Sequence, residues 1–241
     1  MEEYESIIKL AGEKMRKMLE SVYDYNGYFV HNEEQENLLN RILFAMSLVD
    51  RKYFVSEQEY SDVALPIGLG QTISQPSTVA RMLLLAELKQ GDEVLEIGTG
   101  SGWNASLISY LVFPGSVLSL ERIYKLIEKA EGNLKDFRNF LKVKKPGDFQ
   151  KFSKLEVRAE DIFSGKIKRS FDKIIFTAGI ANHYQEDQII ELAKAFLKQG
   201  GILVCPVISG PILIYKKQGK LMRESTKEEY AFLPLKQGLE A

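Results

Sequence analysis

The chain is poor in the side chains that carry most metal and redox chemistry. Among its 241 residues are one cysteine, Cys205, and two histidines, His31 and His183. A single thiol excludes a disulfide framework and a cysteine-built zinc site. Two imidazoles are too few for a histidine cage, so no metal site is expected. Cys205 lies in an apolar stretch and reads as core, and His183 reads as a surface-loop residue. No apolar run approaches the roughly 20 residues that cross a bilayer, and the first twenty residues mix charges with isolated apolar side chains, so no secretory leader is expected. Neither sign of charge dominates: 32 basic and 33 acidic side chains leave a net charge of −1. Bulk charge therefore gives no hold on a phosphate backbone, and only a local patch at Lys142, Lys144, Lys145, Lys151 and Lys154 is basic. The expectation is a cytoplasmic protein without membrane or nucleic-acid partners, its oligomeric state open.

What is present has a regular order. Residues 4–22 carry Ile7, Ile8, Leu10, Ala11, Met15, Met18, Leu19 and Val22 at helical spacing, and residues 34–48 repeat the pattern. Between them Tyr23, Tyr25, Tyr28 and Phe29 surround the turn signal Asn26-Gly27 and are expected to pack. From about residue 78 strands and helices alternate. Strands are predicted at 92–97, 116–120, 155–159, 171–177 and 202–207, and helices at 103–112, 124–140 and 185–198, the last stopped by Gly200-Gly201. Segments 211–216 and 220–223 flank Gln218-Gly219 as a hairpin. Residues 142–154 read as an exposed basic loop. The expected fold is α/β: a doubly wound, mostly parallel sheet with an N-terminal helical extension and a C-terminal antiparallel hairpin. Residues 1–77 form the helical and substrate-loop segment, and 78–241 the ligand-binding domain.

The most informative segment runs from Val94 through Glu96, Ile97, Gly98, Thr99, Gly100 and Ser101 to Gly102. A strand enters three glycines and a helix begins. Glycine admits positive φ and close approach of a ligand, and ligands of such sheets lie beyond the carboxyl ends of the strands. The dinucleotide fingerprint is G-x-G-x-x-G. Here the spacing is G-x-G-x-G, with Trp103 where the third glycine would fall. Glu96 would repel a pyrophosphate and suits a ligand bearing ammonium and sulfonium charge, which makes S-adenosylmethionine the expected cofactor. Glu121, after the second strand, is placed to accept from ribose hydroxyls, and Asp161, after the third, from the adenine amino group. Singly each acid reads as a helix cap or solvated charge. At the ends of successive strands they read together as a binding site.

The run Leu65-Pro66-Ile67-Gly68-Leu69-Gly70-Gln71-Thr72-Ile73-Ser74-Gln75-Pro76, followed by the glycine loop, resembles the protein-L-isoaspartate (D-aspartate) O-methyltransferases. Arg51, Phe54-Val55, Tyr60 and Asp62 resemble the segment ahead of that run. Glu121-Arg122, Phe171-Asp172, Thr177-Ala178, Gly200-Gly201, Pro206 and Phe232-Leu233-Pro234-Leu235 match further elements, the last a terminal strand, so the resemblance covers about residues 38–236. The chain departs from the pattern at Glu160-Asp161-Ile162 where Gly-Asp-Gly is usual, at Gly179 to Tyr184, at Asp50 and Trp103, and in the lysine-rich insertion 142–154.

The resemblance implies a Rossmann-like class I methyltransferase that methylates the free α-carboxylate of L-isoaspartyl residues in proteins and peptides. The ester then recloses to succinimide unaided. It implies Ser74 as the catalytic, substrate-positioning hydroxyl and Gln71, Thr72, Ile73, Thr177 and Ala178 as substrate contacts. It places the cofactor against Glu96, Gly98, Thr99, Gly100, Ser101, Gly102, Glu121, Arg122, Asp161 and Thr177. Without it, Ser74 and Thr72 read as turn residues before Pro76. Two alternatives remain open at this point: an RNA adenine methyltransferase on the same fold, or a silent cofactor-binding adaptor.

Overall fold

The structure, a computed structural model, describes Tyr4, Glu5, Ile8 and residues 11–240. The chain runs through α1 (Glu13–Gly27), α2 (Glu33–Leu48), the strands β1 (Leu65–Gly68) and β2 (Gln71–Ile73), and α3 (Pro76–Leu85). It continues through β3 (Glu93–Ile97), α4 (Trp103–Val112), β4 (Ser116–Glu121), α5 (Tyr124–Lys144), the single turn α6 (Pro146–Phe149) and β5 (Leu155–Ala159). Then come β6 (Phe171–Phe176), α7 (His183–Phe196), β7 (Leu197–Pro206), β8 (Ser209–Gly210), β9 (Ile212–Gln218), β10 (Lys220–Ser225) and β11 (Tyr230–Ala231).

Seven strands form one sheet in the order β10-β9-β7-β6-β3-β4-β5. β3 to β7 are parallel, and β9 and β10 complete the edge as the expected antiparallel pair, turning at Gly219. The strand order reverses at β3, which places the carboxyl ends of β3 and its neighbours at a crevice. Alternate residues feed opposite faces. Val94, Val117, Ile175 and Val204 enter one apolar cluster with α1 to α5, whereas Leu95, Leu118, Ile174 and Leu203 enter a second with α7. The first cluster runs unbroken from Met18 to Ile214, and α3 spans the position between residues 77 and 78. None of the described helices is long and apolar enough to cross a membrane.

Several elements differ from expectation for local reasons. The first helix was expected over 4–22; its apolar positions Ile7 and Leu10 lie outside the described residues. Gly12 is extended at the cap of α1 (φ −63°, ψ 155°), and the helix continues to Gly27 through the predicted turn. Asn26 makes that continuation possible, donating through Nδ2 to Val22 O within the helix and to Ser77 O in α3, each at 3.0 Å. The aromatic cluster packs only in part. Tyr23 stacks on Tyr4 and the Arg81 guanidinium lies 3.9 Å over Phe29, but Tyr28 is exposed. The supposed loop 142–154 is folded: α5 runs to Lys144, and after α6 a 3-10 turn buries Phe152 edge-on to Phe137 at 5.1 Å. α7 ends at Phe196 rather than at Gly200-Gly201, and its successor strand starts at Leu197. Gly201 is needed for closeness, because a Cβ there would meet Asp172 O at 2.8 Å. Phe232–Leu235 is no regular strand. Gly179 N donates to Leu233 O and Leu235 N to Gly179 O, but Pro234 has no N–H with which to extend a ladder.

Candidate active site

β3 ends at Ile97 and the chain turns through Gly98 at φ +102° and Gly102 at φ +87° into α4. Only glycine suits residue 98: a Cβ there would lie 2.1 Å from Thr177 Oγ1. That hydroxyl crosses from the end of β6 and donates to Ile97 O at 3.1 Å and Gly98 O at 2.8 Å. The loop is thus tied to the neighbouring strand and leaves its outer side toward a cavity of about 470 Å³.

Gly98, Thr99, Gly100 and Ser101 form one wall of this cavity. Glu121 and Asp161 line it from the ends of β4 and β5. Three backbone amides orient the Glu121 carboxylate: Gly100 N donates to Oε2 at 3.0 Å, and Arg122 N and Ile123 N donate to Oε1 at 2.9 and 3.1 Å. Asp161 caps a 3-10 turn, accepting from Phe163 N at 3.0 Å through Oδ1 and from Gly238 N at 2.6 Å through Oδ2. Arg122 also borders the cavity, but its guanidinium holds the C-terminal segment, donating to Gly238 O and pairing with Glu240.

Gln71, Thr72, Ile73, Ser74, Thr177 and Ala178 line the same cavity. The β1–β2 turn passes through Leu69 and Gly70 at positive φ, and Lys129 fixes it to α5 by donating to Ile67 O at 2.8 Å. Two nearby serines divide structural from available hydroxyls. Ser77 Oγ donates to Asp62 Oδ2 at 2.5 Å while Ser77 N donates to Asp62 Oδ1 at 2.8 Å. Ser74 borders the cavity, and its Oγ bonds no protein group among the described residues.

Two expected cofactor contacts do not reach the cavity. Gly102 instead packs toward Leu134 and Ala130 of α5. Glu96 is 0% exposed, because strand alternation sends it with Val94 toward α4. Its carboxyl group accepts from Asn104 Nδ2 at 2.8 Å and from Ser119 Oγ, and Ser119 Oγ lies 2.6 Å from Thr99 Oγ1. Burial pushes the acid up to about 7 against those hydrogen bonds, and the charge of Glu121 adds to the rise. Glu96 is thus linked to the glycine loop through Ser119 and Thr99 and does not line the cavity.

The cavity also takes residues without a local sequence signal. Tyr25 of α1 and Tyr230 of β11 border it and share a 3.0 Å hydrogen bond between hydroxyls. Phe232 to Lys236 close another side. Glu160, where glycine is usual, pairs with Arg158 at 3.2 Å. Of the atypical segment 179–184, none borders the cavity: Ile180 is buried and Asn182 caps α7. His183 is exposed at the start of α7 and Cys205 is buried in β7, where burial raises its thiol above the ordinary range. None of the five lysines of 142–154 borders the cavity. Lys142 covers Phe149, Lys151 pairs with Asp148, and Lys154 donates to Pro114 O.

Comparison with known proteins places this arrangement. The family model for protein-L-isoaspartate(D-aspartate) O-methyltransferase matches residues 26–240. The chain is 38% identical over 205 residues to the protein-L-isoaspartate O-methyltransferase of Fervidobacterium nodosum, covering 81% of this chain and 93% of that one. It is 37% identical over 205 residues to that of Ignicoccus hospitalis, covering 83% and 84%. A solved protein-L-isoaspartate O-methyltransferase superposes with a TM-score of 0.70 at 24% identity, covering 94% of this chain and 67% of that one. A Plasmodium falciparum chain assigned the same activity, crystallised with S-adenosyl-L-homocysteine, superposes with a TM-score of 0.69 at 22% identity over 91% of this chain and 97% of that one. The chain belongs to the protein-L-isoaspartate(D-aspartate) O-methyltransferase family.

Proposed function

We propose that the protein methylates the free α-carboxylate of L-isoaspartyl residues in aged proteins and peptides, in the cytoplasm, with S-adenosylmethionine as donor. The observation that carries this reading is Ser74, its hydroxyl without a protein partner among the described residues, lining the same cavity as the glycine loop and the two strand-end acids. The residues suit such a cofactor: the glycine turn gives close backbone approach, and Glu121 and Asp161 offer acceptors to hydroxyl and amino groups. When bound, S-adenosylmethionine supplies a methyl group already activated on a cationic sulfur.

The protein's own work is mostly placement. An isoaspartyl carboxylate is already an anion near neutral pH, so no side chain has to remove a proton from it. Ser74 Oγ donates to one carboxylate oxygen and turns the other toward the glycine loop. Gln71, Thr72 and Ile73 shape the strand along which the substrate backbone lies, and Thr177 with Ala178 borders the opposite side. Holding reactants in line is itself a large rate effect, with effective molarities reaching roughly 10⁵ M and above in well-oriented systems.

Methyl transfer to an isoaspartyl peptide by wild type and Ser74→Ala tests the assignment. The variant is expected to bind cofactor normally and to turn over roughly 10–100-fold more slowly, the loss expected for one charge-directed hydrogen bond. Wild-type turnover in the variant would remove Ser74 from the chemistry.

A further inference from the structure

Arg51 is a charged side chain at 0% exposure, at the start of the 3-10 turn Arg51–Tyr53. A buried guanidinium is costly unless its charge and donors are met. No carboxylate lies within ion-pair distance of it among the described residues. The Asp62 carboxylate acts on it from farther off and spends its hydrogen bonds on Ser77 and Gln75. Desolvation pulls the guanidinium down to about 10, with Asp62 opposing.

Backbone takes the place of an anion. Nη1 donates to Glu59 O and Ser61 O, and Nη2 donates to Val63 O and Ser74 O, each at 3.1 Å. The guanidinium lies 5.2 Å over the Trp103 ring. Trp103 opens α4 directly after the glycine loop, and its Nε1 donates to Val49 O at 2.9 Å. One cation therefore joins the segment ahead of β1, the carbonyl of the residue with the free hydroxyl, and the helix that follows the cofactor loop.

The Ser74 end of this network is the informative one. β2 stops at Ile73 and α3 starts at Pro76, so no ladder or helix bond sets the orientation of residue 74. Its carbonyl is turned to Arg51, while the residue itself lines the cavity and its hydroxyl takes no protein partner among the described residues. The planar fork matters as well. Both hydrogens of each terminal nitrogen go to carbonyls, whereas a lysine has only three donors on one atom and no flat face for the indole.

We propose that Arg51 is a positioning residue for methyl transfer: by holding the Ser74 carbonyl it aims the Ser74 hydroxyl at the substrate carboxylate, so its effect on turnover passes through Ser74. This rests on the role given to Ser74 above.

The test is a double-mutant cycle of wild type, R51K, S74A and R51K/S74A. Each is assayed on an isoaspartyl peptide at saturating S-adenosylmethionine, with S-adenosylhomocysteine binding measured by calorimetry. R51K is expected to lower kcat by roughly 10–100-fold, the scale of a small misplacement, while its Kd for S-adenosylhomocysteine stays within about twofold of wild type. R51K/S74A is expected to be no slower than S74A, because the hydroxyl that Arg51 aims is gone. Wild-type kcat in R51K overturns the proposal. So does a double variant whose losses multiply, or a Kd that rises in step with the loss of kcat, since a merely structural role gives both. If R51K does not fold, R51Q takes its place in the cycle. If neither yields folded, cofactor-binding protein, Arg51 is a folding residue and the assignment falls. A wild-type protein that binds S-adenosylhomocysteine but methylates no isoaspartyl peptide is a separate failure, which overturns the Ser74 reading itself.

Discussion

Glu96→Gln separates the loop-supporting role of this acid from direct ligand contact. The carboxyl group is fully enclosed, and burial raises it from 4.5 to about 7 despite hydrogen bonds from Ser119 and Asn104. The folded chain therefore keeps a proton that the unfolded chain releases between those two values. Stability from this group is fully present below pH 4.5 and is lost as pH rises through about 7. The loss amounts to about 3 kcal/mol, most of it between pH 5 and 8. Glutamine has the same shape, accepts from Asn104 and donates to Ser119 Oγ, and does not titrate. The stability of Glu96→Gln relative to wild type is thus expected to improve by about 2–3 kcal/mol from pH 5 to pH 8. Urea unfolding followed by far-ultraviolet circular dichroism at pH 5, 6, 7 and 8 measures it. A difference between the two proteins that is the same at every pH would refute the reasoning.

Three further outcomes follow from the site. Glu121→Ala and Asp161→Ala are each expected to weaken S-adenosylmethionine binding by roughly 10–100-fold, the loss of hydrogen bonds to a charged group; unchanged calorimetric affinity in both would remove the cofactor assignment. Gly98→Ala drives a Cβ to within 2.1 Å of Thr177 Oγ1 at φ +102°, and denaturant unfolding should show a loss of about 1–3 kcal/mol; no loss would mean that the loop yields freely. Tyr25→Ala opens the wall that Tyr25 shares with Tyr230 and is expected to raise KM for a peptide while kcat and cofactor affinity stay in place; an unchanged KM would put Tyr25 outside the peptide's path.

The parts of this molecule legible in its sequence are those whose cause is local. The apolar strands, the glycine turn and the acids at strand ends follow from period, backbone freedom and chain order, and the structure brings Glu121, Asp161 and Ser74 to one cavity. Glu96, expected at the ligand from its nearness to the loop, does not line the cavity. The same period of two that identifies β3 places it with Val94 on the face toward α4, and that parity was the overlooked signal. In 142–154 the density of lysine concealed Phe152, whose burial folds the segment, and Phe149, which is half-buried against the same cluster. Tyr25 and Tyr230 meet across 205 residues, and no local pattern announces such a pair. Arg51 was visible only as part of a resemblance; its carbonyl partners between Glu59 and Ser74 are set by tertiary folding.

The central claim is that this cavity selects the free α-carboxylate that an isoaspartyl linkage leaves off the main chain. It is tested most directly with two peptides of identical sequence, one containing L-aspartate and the other L-isoaspartate at a single position, incubated with the protein and S-adenosylmethionine carrying a labelled methyl group. Base-labile label, released as methanol, is expected from the isoaspartyl peptide and none above background from the aspartyl one. Equal labelling of both, or label appearing only in added RNA, would contradict it.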